Sequence, residues 1–71
     1  MMSFSELGNS IKERRNALRI TQPDLAEMSG ISVNTLCKIE RGQANPTVKV
    51  LNKLTEVLGM ELKLEVKKPK L

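Results

Sequence analysis

Apolar residues recur at helical spacing along most of the chain and then switch to strict alternation. Phe4, Leu7, Ile11 and Leu18 share one helical stripe. Ser3 stands just before it with Glu6 three residues on, a capping box in which hydroxyl and carboxylate each satisfy a free backbone N–H of the first turn. Arg14 and Arg15 interrupt the stripe. Arg15, one turn beyond Ile11, is predicted to point inward, where a guanidinium requires a partner. A second start follows at Thr21 and Asp24, where Pro23 is tolerated because first-turn N–H groups have no helical acceptor. Leu25, Ala26 and Met28 pass before Ser29-Gly30 ends this short helix, with Gly30 suited to the left-handed closing residue.

Ser32 opens a third helix only two residues later. Its inward side is Leu36 and Ile39, with Glu40 at the edge of the buried face. Val33, Asn34, Cys37, Lys38 and Arg41 form the opposite face. Arg41-Gly42 ends the helix, and a loop through Asn45-Pro46 leads to Thr47, the expected cap of a fourth. Val48, Leu51, Leu54 and Leu58 supply its stripe, and Gly59 closes it. From there Met60, Leu62, Leu64 and Val66 alternate with Glu61, Lys63, Glu65 and Lys67, which predicts a half-buried strand. The tail, Lys68-Pro69-Lys70-Leu71, is read as a basic, disordered terminus.

The chain has 71 residues. A domain of that size buries only about 60% of the surface its unfolded form exposes, so it calls for a staple. Cys37 is the only cysteine and histidine is absent, which rules out an intrachain disulfide and a Cys/His zinc site. Self-association is the remaining remedy. A lone thiol and no signal peptide fit a reducing cytosol, and no apolar run is long enough for a membrane span. Enzyme chemistry is poorly supplied, since there is no imidazole and the carboxylates are scattered. No cofactor or metal is implied.

Charge sharpens the picture. The net charge is +4. Residues 1–35 hold four basic and four acidic side chains, whereas residues 36–71 hold eight Lys/Arg against four Glu. The excess lies in the half that contains the third helix, and such asymmetry favours a polyanionic partner. Two short helices around a tight turn in a basic bundle are the layout of a helix-turn-helix, whose second helix enters the DNA major groove. Val33, Asn34 and Lys38 are then the candidate base contacts. Val meets a thymine methyl, Asn pairs with adenine and Lys donates to guanine, with phosphate contact the alternative for the two polar residues. Ser32 and Gln22, each beside free N–H groups at the start of its helix, suit phosphate. Thr35, Cys37 and Arg41 complete the expected phosphate contacts. A redox role for Cys37 is the weaker reading, favoured only by nearby Lys38 and Arg41.

Thr21-Gln22, Leu25-Ala26, Gly30-Ile31-Ser32, Thr35-Leu36, Ile39-Glu40-Arg41-Gly42 and Pro46 together resemble the signature of the lambda-repressor-like (Cro/CI, Xre) domain over about residues 5–59. The resemblance implies a mainly α bundle of four to five helices, and a structural pair between Arg15 and Glu40. Pro23 and Cys37 depart from the family pattern, each standing where a polar residue is more usual. A strand directly after the last helix also resembles the HipB-type antitoxins. That likeness implies strands paired across a homodimer, and an assembly that binds a HipA-like kinase toxin as well as operator DNA.

A lone amphipathic strand in a helical domain has no partner in its own chain, and its free edge invites another molecule. Antiparallel self-pairing centred on Leu64 opposes Glu61 to Lys67 and Lys63 to Glu65, whereas centring on Lys63 opposes Glu61 to Glu65. The Leu64 register is therefore expected, with Met60, Leu62, Leu64 and Val66 facing the helices. The resulting expectation is a DNA-binding domain over residues 1–59, a dimerisation strand over 60–67 and a tail over 68–71. Such a chain would be a cytoplasmic, nucleoid-associated bacterial regulator, a homodimeric repressor on double-stranded DNA, with a toxin-binding antitoxin as the alternative.

Overall fold

The computed structural model describes residues 3–67; the proposed tail over 68–71 lies outside them. Among the described residues four helices account for the regular structure: α1 (Phe4–Ala17), α2 (Gln22–Ser29), α3 (Val33–Glu40) and α4 (Val48–Leu58). Each begins at a hydroxyl cap. Ser3, Thr21, Ser32 and Thr47 accept from the N–H groups of Glu6, Asp24, Thr35 and Val50 at 3.1–3.2 Å. Such a cap contributes about 1 kcal/mol by satisfying a donor that has no helical acceptor. The box at Ser3 departs from expectation in one detail. The Glu6 carboxylate meets the Ser3 hydroxyl, which donates to it at 3.4 Å. Gly30 and Gly59 close α2 and α4 with φ of 72° and 66°, a left-handed conformation that costs glycine nothing.

The helices pack α1 on α3 and α4, and α2 on α3 and α4. Ile11, Leu25, Ala26, Leu36, Ile39, Leu51, Leu54 and Leu58 make the core between them. Leu7, Ile20, Ile31, Ala44, Val50 and Val57 pack around its edge. Four residues of the predicted stripes fall outside it: Phe4, Leu18, Met28 and Val48 are exposed. Phe4 and Val48 are the first residues of their helices and Leu18 follows the last of α1, where neighbouring helices no longer overlie them. On α2 the inward site one turn beyond Leu25 belongs to Ser29, which is buried, and Met28 is turned outward.

Residues 60–67 follow Gly59 without forming a strand among the described residues. A ladder needs a second strand, and the described residues of a single copy offer none. Met60 and Leu62 line a groove of about 220 Å³ with Leu7, Ile11, Leu51 and Thr55. Leu64 and Val66 are fully exposed, so in the single chain only the first half of the apolar row meets the helices. Lys63 Nζ lies 3.7 Å from Glu61 Oε1 and 3.9 Å from Glu65 Oε1, which puts the alternating charges on one side of the segment.

Candidate nucleic-acid interface

The third helix has two sharply different sides because its eight residues place Leu36, Ile39 and Glu40 in the interior. Val33, Asn34, Thr35, Lys38 and Arg41 remain exposed, and Cys37 is half-buried between them. The three candidate base contacts therefore share one accessible side of a helix whose other side is anchored. At the helix start the Ser32 hydroxyl does double duty. It accepts the Thr35 N–H at 3.1 Å and donates to Thr35 Oγ1 at 2.8 Å. With its proton so placed, the Thr35 hydroxyl keeps a hydrogen to offer a phosphate oxygen.

Behind this surface lies a polar network that holds α3 in place. Arg15 Nε donates to Glu40 Oε2 at 2.8 Å and Arg15 Nη2 to Glu40 Oε1 at 3.0 Å. A third Arg15 donor, Nη1, reaches the Ile20 carbonyl oxygen at 2.8 Å. The Glu40 side chain is only 2% exposed and that of Arg15 10%. The fork of the guanidinium meets both oxygens of this buried carboxylate, the bidentate geometry that makes such a pair strong. The inward Arg15 and the inward Glu40 thus find one another. Gln22, the first residue of α2, joins them: its Nε2 donates to Glu40 Oε1 at 2.9 Å. One of its two amide hydrogens is spent inside the protein, and the other remains for phosphate.

Two supports of this arrangement have weak sequence signals. Gly8 is buried in α1, where a Cβ would overlap the carbonyl oxygen of Ile39. A glycine in a helix interior costs about 1 kcal/mol against alanine, and that cost is the only hint that another backbone passes close by. Arg14 donates from Nε to the Leu58 carbonyl oxygen at 2.8 Å, closing the end of α4. An arginine beside Arg15 carries no mark of that role, because the pairing spans 44 residues.

The arrangement offers one exposed helix with apolar, amide and ammonium groups in reach of one another, two adjoining helix starts, and a net charge of +4. No helix among the described residues is long and apolar enough to cross a membrane.

Residues 11–64 match the family model described as Helix-turn-helix. A protein of Methanococcus vannielii, provisionally named an HTH-type transcriptional regulatory protein, is 40% identical over 55 residues, covering 78% of this chain and 17% of that protein. The match thus spans well under a fifth of the relative's length. Among solved structures, the restriction-modification controller protein C.AhdI from Aeromonas hydrophila superposes with a TM-score of 0.79 at 31% identity, covering 82% of this chain and 88% of that one. A chain from the structure of a HipA-HipB-O2-O3 complex superposes with a TM-score of 0.82 at 28% identity, covering 96% of both.

Proposed function

This chain belongs to the helix-turn-helix family, and we propose that it is a sequence-specific, double-stranded-DNA-binding regulator of transcription, a repressor that acts as a homodimer on a palindromic operator. The observation that carries this reading is the division of α3, with Leu36, Ile39 and Glu40 buried and Val33, Asn34 and Lys38 exposed together. A major groove about 12 Å wide admits one such helix. Val33, Asn34 and Lys38 read base edges. Gln22, Ser32, Thr35, Cys37 and Arg41 meet phosphates and set the register. Residues 1–59 form the DNA-binding domain and 60–67 the dimerisation strand, paired antiparallel about Leu64. The dimer places two copies of α3 in successive major grooves, with half-sites about 34–36 Å apart. Such a role places the protein in the cytoplasm, on the nucleoid.

Selection of bound sequences from a random duplex pool, at about 0.15 M salt, tests this directly. Recovery of a palindrome with half-sites one helical turn apart is the expected result. A folded protein that enriches no sequence would remove the reading.

A second reading is favoured by one observation. The likeness to a chain of the HipA-HipB-O2-O3 complex covers 96% of this chain, against 82% for the controller protein. It supports an antitoxin of the HipB type, which would hold a HipA-like kinase toxin inactive and use DNA binding for autoregulation. Copurification of a larger kinase-like partner would distinguish it from a free-standing repressor.

A further inference from the structure

We propose that Gln22 is a positioning residue for the recognition helix: it ties the first residue of α2 to the last residue of α3 and so fixes the angle between the two helices. The proposal rests on the DNA-reading role given above. The turn through Gly30 joins α2 and α3 covalently at one end only, so at the other end side-chain contacts set their separation. At that open end, Gln22 Nε2 donates to Glu40 Oε1 at 2.9 Å. The acceptor is well suited to act as a fixed point. Both Glu40 oxygens are held by Arg15 of α1, at 2.8 and 3.0 Å, and the Glu40 side chain is 2% exposed. Arg15 also holds the Ile20 carbonyl oxygen at 2.8 Å, two residues before Gln22, so both halves of the clamp are referred to the same guanidinium. A hydrogen bond to a charged, buried acceptor is among the stronger ones available to a neutral side chain.

Geometry shows why a clamp at this end matters. Eight residues of α-helix span about 12 Å, so a tilt of roughly 5° about the Gly30 turn moves the far end of α3 by on the order of 1 Å. Lys38 lies near that end. Bidentate or directed contacts to a base edge do not survive such a shift, whereas attraction between Lys/Arg and phosphate changes little with it. Gln22 therefore supports discrimination between sequences more than attraction to DNA as such.

Gln22→Met keeps the length and the half-buried packing but cannot donate, and Gln22→Asn keeps an amide that is too short to span the gap. Affinity is read on the selected operator and on a scrambled duplex at one salt concentration, with backbone hydrogen exchange of the free protein alongside. The expected result for both variants is an operator-to-scrambled affinity ratio reduced about tenfold, with preference lost chiefly at the base pairs that Lys38 reads. Exchange should quicken in the last turn of α3 and not in the core. An unchanged ratio would overturn the proposal. So would a parallel loss on both duplexes, which would leave Gln22 a phosphate contact alone. A general loss of exchange protection in both variants would make Gln22 a support of the whole fold, and would also overturn it. Failure of the wild-type protein to prefer any sequence would instead strike the DNA-reading role itself, and this proposal with it.

Discussion

Gly8 of α1 lies directly against the end of α3, where an added Cβ would overlap the Ile39 carbonyl oxygen and approach that of Glu40 to 2.9 Å. The obstructing atoms are backbone and cannot rotate aside. The first helix therefore sits as near to α3 as two backbones allow, about two turns before the Arg15 that holds the same helix by its last residue.

Gly8→Ala should accordingly destabilise the domain although alanine is the better helix former. The propensity gain is about 1 kcal/mol, and overpacking against an unyielding wall costs about 1–3 kcal/mol or more. Because the obstructing atoms are backbone, the cost falls at the upper end of that range and a net loss of about 2 kcal/mol is expected, which lowers the melting temperature by roughly 10 °C in a domain this small. Thermal unfolding followed by circular dichroism measures it. An unchanged or raised midpoint would show that α1 can lift from α3 freely.

Arg14→Met removes the donor to the Leu58 carbonyl while keeping most of the stem that packs beside it. The loss should be about 1–2 kcal/mol, the cost of leaving a half-buried carbonyl without its partner. Local consequences follow as well, since residues 60–67 depart from the end of α4 that Arg14 closes. Faster hydrogen exchange in the last turn of α4, beside a modest fall in the urea midpoint, is the expected pair of results. If neither moved, the contact would be dispensable.

The contrast between Arg14 and Arg15 shows what the sequence could disclose about the fold and the site. Arg15 was legible because it falls one turn beyond Ile11 on an inward stripe, and Glu40 because it flanks Leu36 and Ile39. That these two form a pair is what the family resemblance implied. All four hydroxyl caps and the glycine stops at Gly30 and Gly59 were legible for the same reason, that each is a local rule. Arg14, Gly8 and the Gln22–Glu40 contact depend on where distant helices pass one another, and no local pattern records that. Phe4 and Val48 fit their stripes by spacing and are exposed all the same, because burial at a helix end depends on how far the neighbouring helix extends. The alternation over 60–67 was visible, but alternation says which side chains share a face and not what covers them. Leu64 and Val66 are bare in the single chain.

Arg15→Ala should unfold the domain before it specifically weakens DNA binding. Breaking one member of a buried pair costs about 3–5 kcal/mol, comparable with the whole stability of a small domain. Replacing both members, as Arg15→Met with Glu40→Leu, should recover part of that loss. Recovery cannot be complete, because Gln22 then has no charged acceptor and Ile20 no guanidinium donor. Urea denaturation of the two single variants and the double variant tests the point. An Arg15→Ala protein that melts normally yet fails to bind would place Arg15 in the recognition site and not beneath it.

Pairing about Leu64 predicts a specific crosslink. Opposed side chains on one face of an antiparallel pair have Cβ atoms about 4.5–5.5 Å apart, near enough for a disulfide after slight adjustment. Leu64→Cys, in a Cys37→Ala background, should give a disulfide-linked dimer on oxidation. Lys63→Cys should not, since in this register each position 63 opposes Glu65 of the other copy. Leu64→Lys should shift the protein toward monomer in sedimentation, by placing like charges face to face. A Lys63→Cys crosslink in the absence of a Leu64→Cys one would assign the other register.

Lys38 and Arg41 lie on the same exposed side of α3 and nevertheless should respond differently to truncation. If Lys38 donates to a base edge, Lys38→Ala relaxes the preference at one base pair, with a cost of about 1–3 kcal/mol on the preferred sequence and little on others. Arg41 follows the last residue of α3 and is proposed to meet phosphate. Arg41→Ala should then weaken binding to all sequences alike and reduce the slope of log affinity against log salt by about 1. Affinities for every single-base variant of the selected site, measured at several salt concentrations, separate the two roles. A Lys38→Ala protein that kept the wild-type preference at each position and lost only salt dependence would make Lys38 a phosphate contact. Base reading would then rest on Val33 and Asn34 alone.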